Sequence, residues 1–143
     1  MNLEIEQREK EGIPILDLKG HIVLGDEDQL LRQKLTSLLD AGHSKVLLNL
    51  KHVTAMDSAG LGTLNSYAAR LHAAGGLLAL LNLSESHMKI AQVLELDTAF
   101  KIFRDEQEAV NSFFPDRSGH PYDILEFVEE QEHDHGAVPP KKE

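Results

Sequence analysis

Two short, fully apolar runs constrain the fold of this chain more than any other feature. "KVLLNL" (Lys45 to Leu50) and "LLALLNL" (Leu77 to Leu83) are almost without polar residues, which is typical of strands covered on both faces. Between them, apolar residues recur at the spacing of one helix face: Leu61, Leu64, Ala68 and Leu71. A buried strand, an amphipathic helix and a second buried strand predict an α/β domain.

The N-terminal segment predicts a β-hairpin. The stretches Leu3 to Glu9 and Gly12 to Gly20 carry strand-like apolar positions, and Glu11-Gly12 between them is the expected turn. Pro14 cannot donate to a ladder, so it belongs at a strand start or a sheet edge.

Capping residues mark the remaining helices. From Asp26 the apolar residues recur at helical spacing, and this helix is predicted to end at a C-cap at Gly42. Ser84 and Asp105 are suited to cap the N-termini of two later helices. A short strand, Lys101 to Phe103, separates those two helices. The order β-β-α-β-α-β-α-β-α implies a mixed sheet of four to five strands with helices packed mainly on one side.

Charge and proline divide the chain near Pro115. Residues 115–143 carry half of the net charge of −10 and four of the five prolines. We therefore expect one domain over residues 1–114 and an acidic C-terminal extension over 115–143, partly disordered, with a possible short helix near 122–131. The densest histidine cluster, His133 and His135, falls in that extension, where a rigid metal site is not expected.

Composition excludes several classes of function. A net charge of −10 argues against binding nucleic acid or an anionic membrane surface. The absence of cysteine excludes disulfides and thiol catalysis. The charged N-terminal segment lacks the apolar stretch of a secretory signal, so none is expected, and no apolar run reaches the roughly 20 residues of a membrane span. We expect a cytoplasmic protein without a cofactor, either a monomer or a weak dimer.

The segment "AMDSAGLGTL" (residues 55–64) concentrates the polar chemistry of the chain. Asp57 is suited to be the N-cap of the helix that follows, which places Ser58 in its first turn. Gly60 and Gly62 each cost that helix about 1 kcal/mol relative to alanine. Glycine is tolerated there if a side chain would not fit, either against a neighbouring strand or against a partner.

Three functional interpretations compete for this segment. A phosphate-binding loop fits poorly. Such a loop has its glycines before the helix and a lysine after them, whereas here the glycines lie inside the helix start and no lysine follows. A hydrolytic serine needs a glycine where Met56 stands, although histidines are plentiful: His21, His43, His52, His72 and His87. A modified Ser58 fits best, because a phosphoryl group is tolerated at a helix N-terminus but not by a partner docked over it.

The stretch "VLLNLKHVTAMDSAGLGTL" and the order of elements resemble the STAS family, the sulfate transporter and anti-sigma factor antagonist domain. The similarity covers roughly residues 3–114 and is strongest to the stand-alone bacterial anti-sigma factor antagonists. One departure is Asn49, where many members have aspartate. The resemblance implies a STAS-like fold and a small binding protein that is not an enzyme.

The resemblance also implies a circuit of partners. The unphosphorylated protein would capture an anti-sigma factor of the GHKL serine kinase type. That kinase would phosphorylate Ser58, and a phosphatase would reverse the modification. The implied contact surface is the helix start: Asp57, Ser58, Ala59, Gly60, Leu61 and Gly62. Two alternatives stay open, a scaffold subunit of a signalling or transport assembly without a phosphoswitch, and a serine hydrolase.

Overall fold

Strands and helices alternate in the predicted order through residues 2–95 and 101–117, the part of the chain that the computed structural model describes. The elements in chain order are β1 (Leu3–Lys10), β2 (Ile13–Ile22), α1 (Asp26–Asp40), β3 (Lys45–Met56), α2 (Ser58–Ala73), β4 (Leu77–Leu81), α3 (Glu85–Val93), β5 (Lys101–Phe103) and α4 (Glu106–Asn111).

The strands form one sheet in the order β1-β2-β3-β4-β5. β1 and β2 are antiparallel, whereas β2 through β5 pair in parallel. Glu11 and Gly12 form the predicted turn with φ of 54° and 84°, the left-handed conformation that both central residues of a type I′ hairpin turn adopt. Pro14 lies at the start of β2, before its ladder with β3 begins at Ile15. The mixed five-stranded sheet is confirmed.

Each face of the sheet has its own core. α1, α2 and α3 cover one face, where the larger cluster includes the apolar side chains Leu31, Leu35, Leu48, Leu61, Leu64 and Leu80. α4 covers part of the other face, over a smaller cluster that includes Ile15, Leu47, Phe103 and Val110. Helices therefore pack mainly on one side, as the sequence predicts.

β3 is longer than its apolar run. The strand was predicted over Lys45 to Leu50 only, and residues Lys51 to Met56 continue it. Its buried residues Leu50, Val53 and Met56 are spaced by three rather than two. The register with β2 shifts twice along this stretch, and each shift inserts an extra residue into β3. The bulges hide the alternation by which a strand is recognised.

The end of another strand also differs from prediction. β4 ends at Leu81 rather than Leu83. The possible helix near 122–131 and the His133–His135 cluster lie outside the described residues. Among the helices that the model describes, none has the length and apolar character needed to cross a membrane.

Candidate functional site

Asp57 forms the junction between β3 and α2. Its backbone is extended (φ −104°, ψ −177°), and its Oδ1 accepts a hydrogen bond of 2.8 Å from the amide of Gly60. Its carbonyl oxygen accepts the first bond of the helical ladder, from the amide of Leu61. Asp57 is therefore the N-cap predicted from the sequence.

The second carboxylate oxygen of Asp57 has a partner that the sequence did not reveal. Oδ2 accepts a bond of 3.1 Å from the amide of Leu24, in the loop that joins β2 to α1. One carboxylate thus ties the start of α2 to a loop 33 residues away along the chain. Both oxygens accept from backbone amides, and among the described residues neither is bonded to the Ser58 hydroxyl, so Asp57 is not placed as a general base toward Ser58.

Ser58 is the first residue of α2 and is exposed. Within the described part of the chain, its hydroxyl makes no hydrogen bond, and no histidine is bonded to it. The amides of Ser58 and Ala59 have no intrahelical acceptor at these positions. An exposed hydroxyl beside open helix amides can receive an anionic group without disturbing the packing.

The two glycines of the motif have different surroundings. A Cβ at Gly60 would lie 2.2 Å from the carbonyl oxygen of Ile22, so this glycine allows α2 to pack against the backbone of β2. Gly62 is half-buried, and a Cβ there would meet nothing within 4 Å. The first explanation offered by the sequence, packing against a strand, holds for Gly60, and Gly62 borders open space.

Two of the expected contact residues lie beneath the surface. Leu61 is 0% exposed and belongs to the larger core, and Gly60 is buried against Ile22. The helix start turns both residues toward the sheet, and their part in a contact surface stays a prediction. Ser58 is exposed, and Asp57, Ala59 and Gly62 are half-buried.

A buried polar contact holds α1 against α2 behind the motif. The hydroxyl of Thr63, fully buried, donates to Oδ1 of Asp28 in the first turn of α1. Arg32 donates to the other oxygen of Asp28 at 2.8 Å, and this bond raises the pKa of Arg32. The buried charge of Asp28 is therefore paired, and it links the helix that follows Leu24 to the helix that begins at Ser58.

A separate polar network crosses the sheet on the α4 side. Arg8 donates to both Asp17 and Glu106, with shortest distances of 2.6 and 2.7 Å, and thereby joins β1, β2 and α4. Burial tends to raise the pKa of Asp17, but the bonds from Arg8 and Asn49 outweigh it and hold that pKa below its usual range. The bonds from Arg8 likewise lower the pKa of Glu106.

Asn49 has a clear place in this network. Its side-chain amide donates to Oδ1 of Asp17 at 2.9 Å, and its Oδ1 accepts from the amide of Lys51 at 3.2 Å. An aspartate could not make the first bond, because two carboxylates would face each other. Asparagine at position 49, where many STAS proteins are expected to have aspartate, is therefore suited to its neighbour Asp17. Across residues 2–95 and 101–117, no three histidine or acidic side chains come together as a metal site.

Comparisons with known proteins agree with this architecture. The model of the STAS domain family matches residues 4–109. A protein of Paenibacillus polymyxa named anti-sigma F factor antagonist is 26% identical over 112 residues, which cover 78% of this chain and 93% of that protein.

Two solved structures show the same fold. The Bacillus cell fate determinant SpoIIAA in its phosphorylated form is 21% identical with a TM-score of 0.60, covering 76% of this chain and 98% of that one. An anti-sigma factor antagonist of Mycobacterium paratuberculosis is 14% identical with a TM-score of 0.66, covering 78% and 93%.

Proposed function

The chain belongs to the STAS domain family, and on that premise we propose that it is an anti-sigma factor antagonist controlled by phosphorylation of Ser58. Its unphosphorylated form binds an anti-sigma factor of the serine kinase type, and the phosphorylated form releases it. The name of the Paenibacillus relative supports the antagonist role, and the phosphorylated SpoIIAA structure supports a phosphorylated state in proteins of this fold.

The proposal rests on the exposure of Ser58 and on the hydrogen bonds made by the neighbouring Asp57. Ser58 is exposed at the first turn of a 16-residue helix, and the neighbouring carboxylate is already bonded to the amides of Gly60 and Leu24. A hydroxyl without a base is a poor nucleophile but an accessible substrate. This arrangement favours modification of Ser58 by another enzyme over hydrolysis by Ser58.

The electrostatics of the site explain how modification would act as a switch. A phosphoryl group adds about −1.5 to −2 charge and three acceptor oxygens. The positive end of α2 and the amides of Ser58 and Ala59 offset that charge within the domain. A partner bound over Ser58 would instead have to desolvate a dianion beside Asp57. Phosphorylation therefore ends binding without unfolding the protein.

The binding surface consists of Asp57, Ser58, Ala59 and Gly62, with Gly60 and Leu61 shaping it from beneath. The partner in this proposal is a GHKL-type kinase that uses ATP and Mg²⁺, and a phosphatase restores the binding form. The antagonist itself is not an enzyme, needs no cofactor and acts in the cytoplasm.

Phosphosite mapping tests the proposal, with Ser66 as a matched control. Ser66 is also exposed on α2 but lies two turns further along. Each GHKL-type kinase of the source organism is incubated with the protein, ATP and Mg²⁺, followed by intact-mass measurement. One phosphate is expected on the wild type and on Ser66→Ala, and none on Ser58→Ala. In binding measurements without ATP, Ser58→Asp should lower the affinity for the kinase at least about 10-fold, and Ser66→Asp should not.

The alternatives give different outcomes. If a kinase binds the wild type but leaves Ser58 unmodified, and Ser58→Asp binds equally well, the phosphoswitch is wrong and the scaffold function is favoured. Covalent labelling of Ser58 by a fluorophosphonate probe would instead support a serine hydrolase.

A further inference from the structure

We propose that Leu24 is the apolar anchor of the surface that binds the kinase, an inference that rests on the proposed function. Leu24 lies in the loop between β2 and α1, and the residue is 73% exposed. Nothing in the sequence motif points to it, since it lies 34 residues before Ser58. Its backbone amide donates to Asp57, the residue next to Ser58.

The loop that carries Leu24 is held in place on both sides. Before it, the carbonyl of Val23 accepts from the amide of Asp28 at 3.1 Å; after it, the carbonyl of Gly25 accepts from Gln29 at 3.0 Å. Gly25 has a φ of 116°, which L side chains rarely adopt. With the bond to Asp57, these contacts fix the backbone before a partner arrives. An apolar side chain on a preorganised loop loses little entropy on binding.

The charge around Leu24 indicates the chemistry of its partner. Four acidic residues lie close to the site along the chain: Asp26, Glu27, Asp28 and Asp57. The basic residues nearest to them in sequence are Lys19, Arg32, Lys51 and Arg70. Asp28 is buried and paired with Arg32, whereas Asp26 is exposed and has no ion pair among the described residues. We therefore infer that the kinase receives Leu24 in an apolar pocket bordered by lysine or arginine side chains.

The same geometry explains why Leu24 and Ser58 would act together. Because one carboxylate bonds both backbone segments, the anchor and the phosphorylated hydroxyl keep a fixed relation to each other. Leu24 would contribute equally to the bound ground state and to the transition state of phosphoryl transfer. Loss of its side chain should raise the KM of the kinase for this protein and leave kcat unchanged.

The test compares Leu24→Asp with Val93→Asp. Val93 is 78% exposed on α3, so the two variants add the same charge to equally exposed apolar positions. Affinity is measured by biolayer interferometry against each GHKL-type kinase of the source organism that binds the wild type, and KM and kcat are measured for Ser58 phosphorylation. Leu24→Asp should lower the affinity at least about 30-fold and Leu24→Ala about 5-fold, with Val93→Asp near wild type.

Failure of this inference is distinguishable from failure of the proposed function. If the wild type binds a kinase and Leu24→Asp binds within twofold of it, the anchor is wrong while the antagonist function stands. Equal losses in Leu24→Asp and Val93→Asp would also overturn the anchor, because the effect would follow added charge alone. If the wild type binds none of the kinases, the proposed function fails and the anchor fails with it. Unchanged thermal unfolding of both variants shows that the fold is intact.

Discussion

Gly60 and Ile22 touch backbone to backbone, which leaves no room for a side chain at position 60. This contact sets how closely the start of α2 approaches the end of β2, and it brings Asp57 within reach of the loop at Leu24. The geometry of the site therefore depends on a backbone contact in which no polar side chain takes part.

Alanine at Gly60 and alanine at Gly62 should change stability in opposite directions. Gly60→Ala places a Cβ 2.2 Å from the carbonyl of Ile22 and should cost about 2 kcal/mol or more of unfolding free energy. Gly62→Ala meets nothing within 4 Å and should gain up to about 1 kcal/mol from helix propensity. Urea denaturation measures both. A loss of stability in Gly62→Ala equal to that of Gly60→Ala would contradict the different surroundings described above.

Mutation can separate the effects of the hydrogen bonds made by the two carboxylate oxygens of Asp57. Asp57→Asn can still accept from the amide of Gly60, but its NH₂ group cannot accept from the amide of Leu24. Hydrogen exchange should therefore accelerate at Leu24 alone in Asp57→Asn, and at both amides in Asp57→Ala. Loss of the cap in Asp57→Ala should cost about 1 kcal/mol. Unchanged exchange at Leu24 in either variant would show that the loop does not depend on this bond.

Introducing aspartate at position 49 should destabilise this protein. Asn49→Asp replaces a donor to Asp17 with a second carboxylate, so the pKa of one of the pair should rise. A raised carboxyl pKa in the folded state means that stability lost at pH 7, about 1–2 kcal/mol, returns as the pH falls and the shared proton binds. The exposed substitution Gln7→Glu adds the same charge and is the control. Thermal unfolding from pH 7 to pH 5 should distinguish them.

The Arg8 network should contribute to acid sensitivity. The pKa values of Asp17 and Glu106 are lowered in the folded protein, so their stabilising effect is present above their unfolded pKa values and is lost as the pH falls through the folded ones. Arg8→Gln should flatten the loss of stability below about pH 5 and reduce stability at pH 7. The reduction should be only about 1 kcal/mol, since Arg8 is 40% exposed.

Lys89→Gln, which removes an exposed positive charge from α3, is the control for Arg8→Gln. Chemical denaturation across this pH range gives the comparison. If Arg8→Gln loses stability with falling pH as steeply as the wild type does, the network does not determine the acid sensitivity.

Local chemistry made much of the fold predictable from the sequence. The turn at Glu11-Gly12 and the caps at Asp57, Ser84 and Asp105 depend on neighbours within three residues, and the structure confirms each of them. The end of β3 was not predictable, because its bulges arise from pairing with β2 rather than from its own residues. Contacts across the fold were likewise hidden. The Asp57–Leu24 bond and the Gly60–Ile22 approach join segments that only tertiary packing brings together.

The order of the sheet has a consequence for how the protein is made. Each strand from β2 onward pairs with the strand that precedes it in the chain, so each of these strands finds a partner already synthesised. The loop at Leu24, the cap at Asp57 and the helix that begins at Ser58 all lie within the first 73 residues. These segments are therefore synthesised before β4, the strand against which α2 also packs, so their final packing waits for that strand.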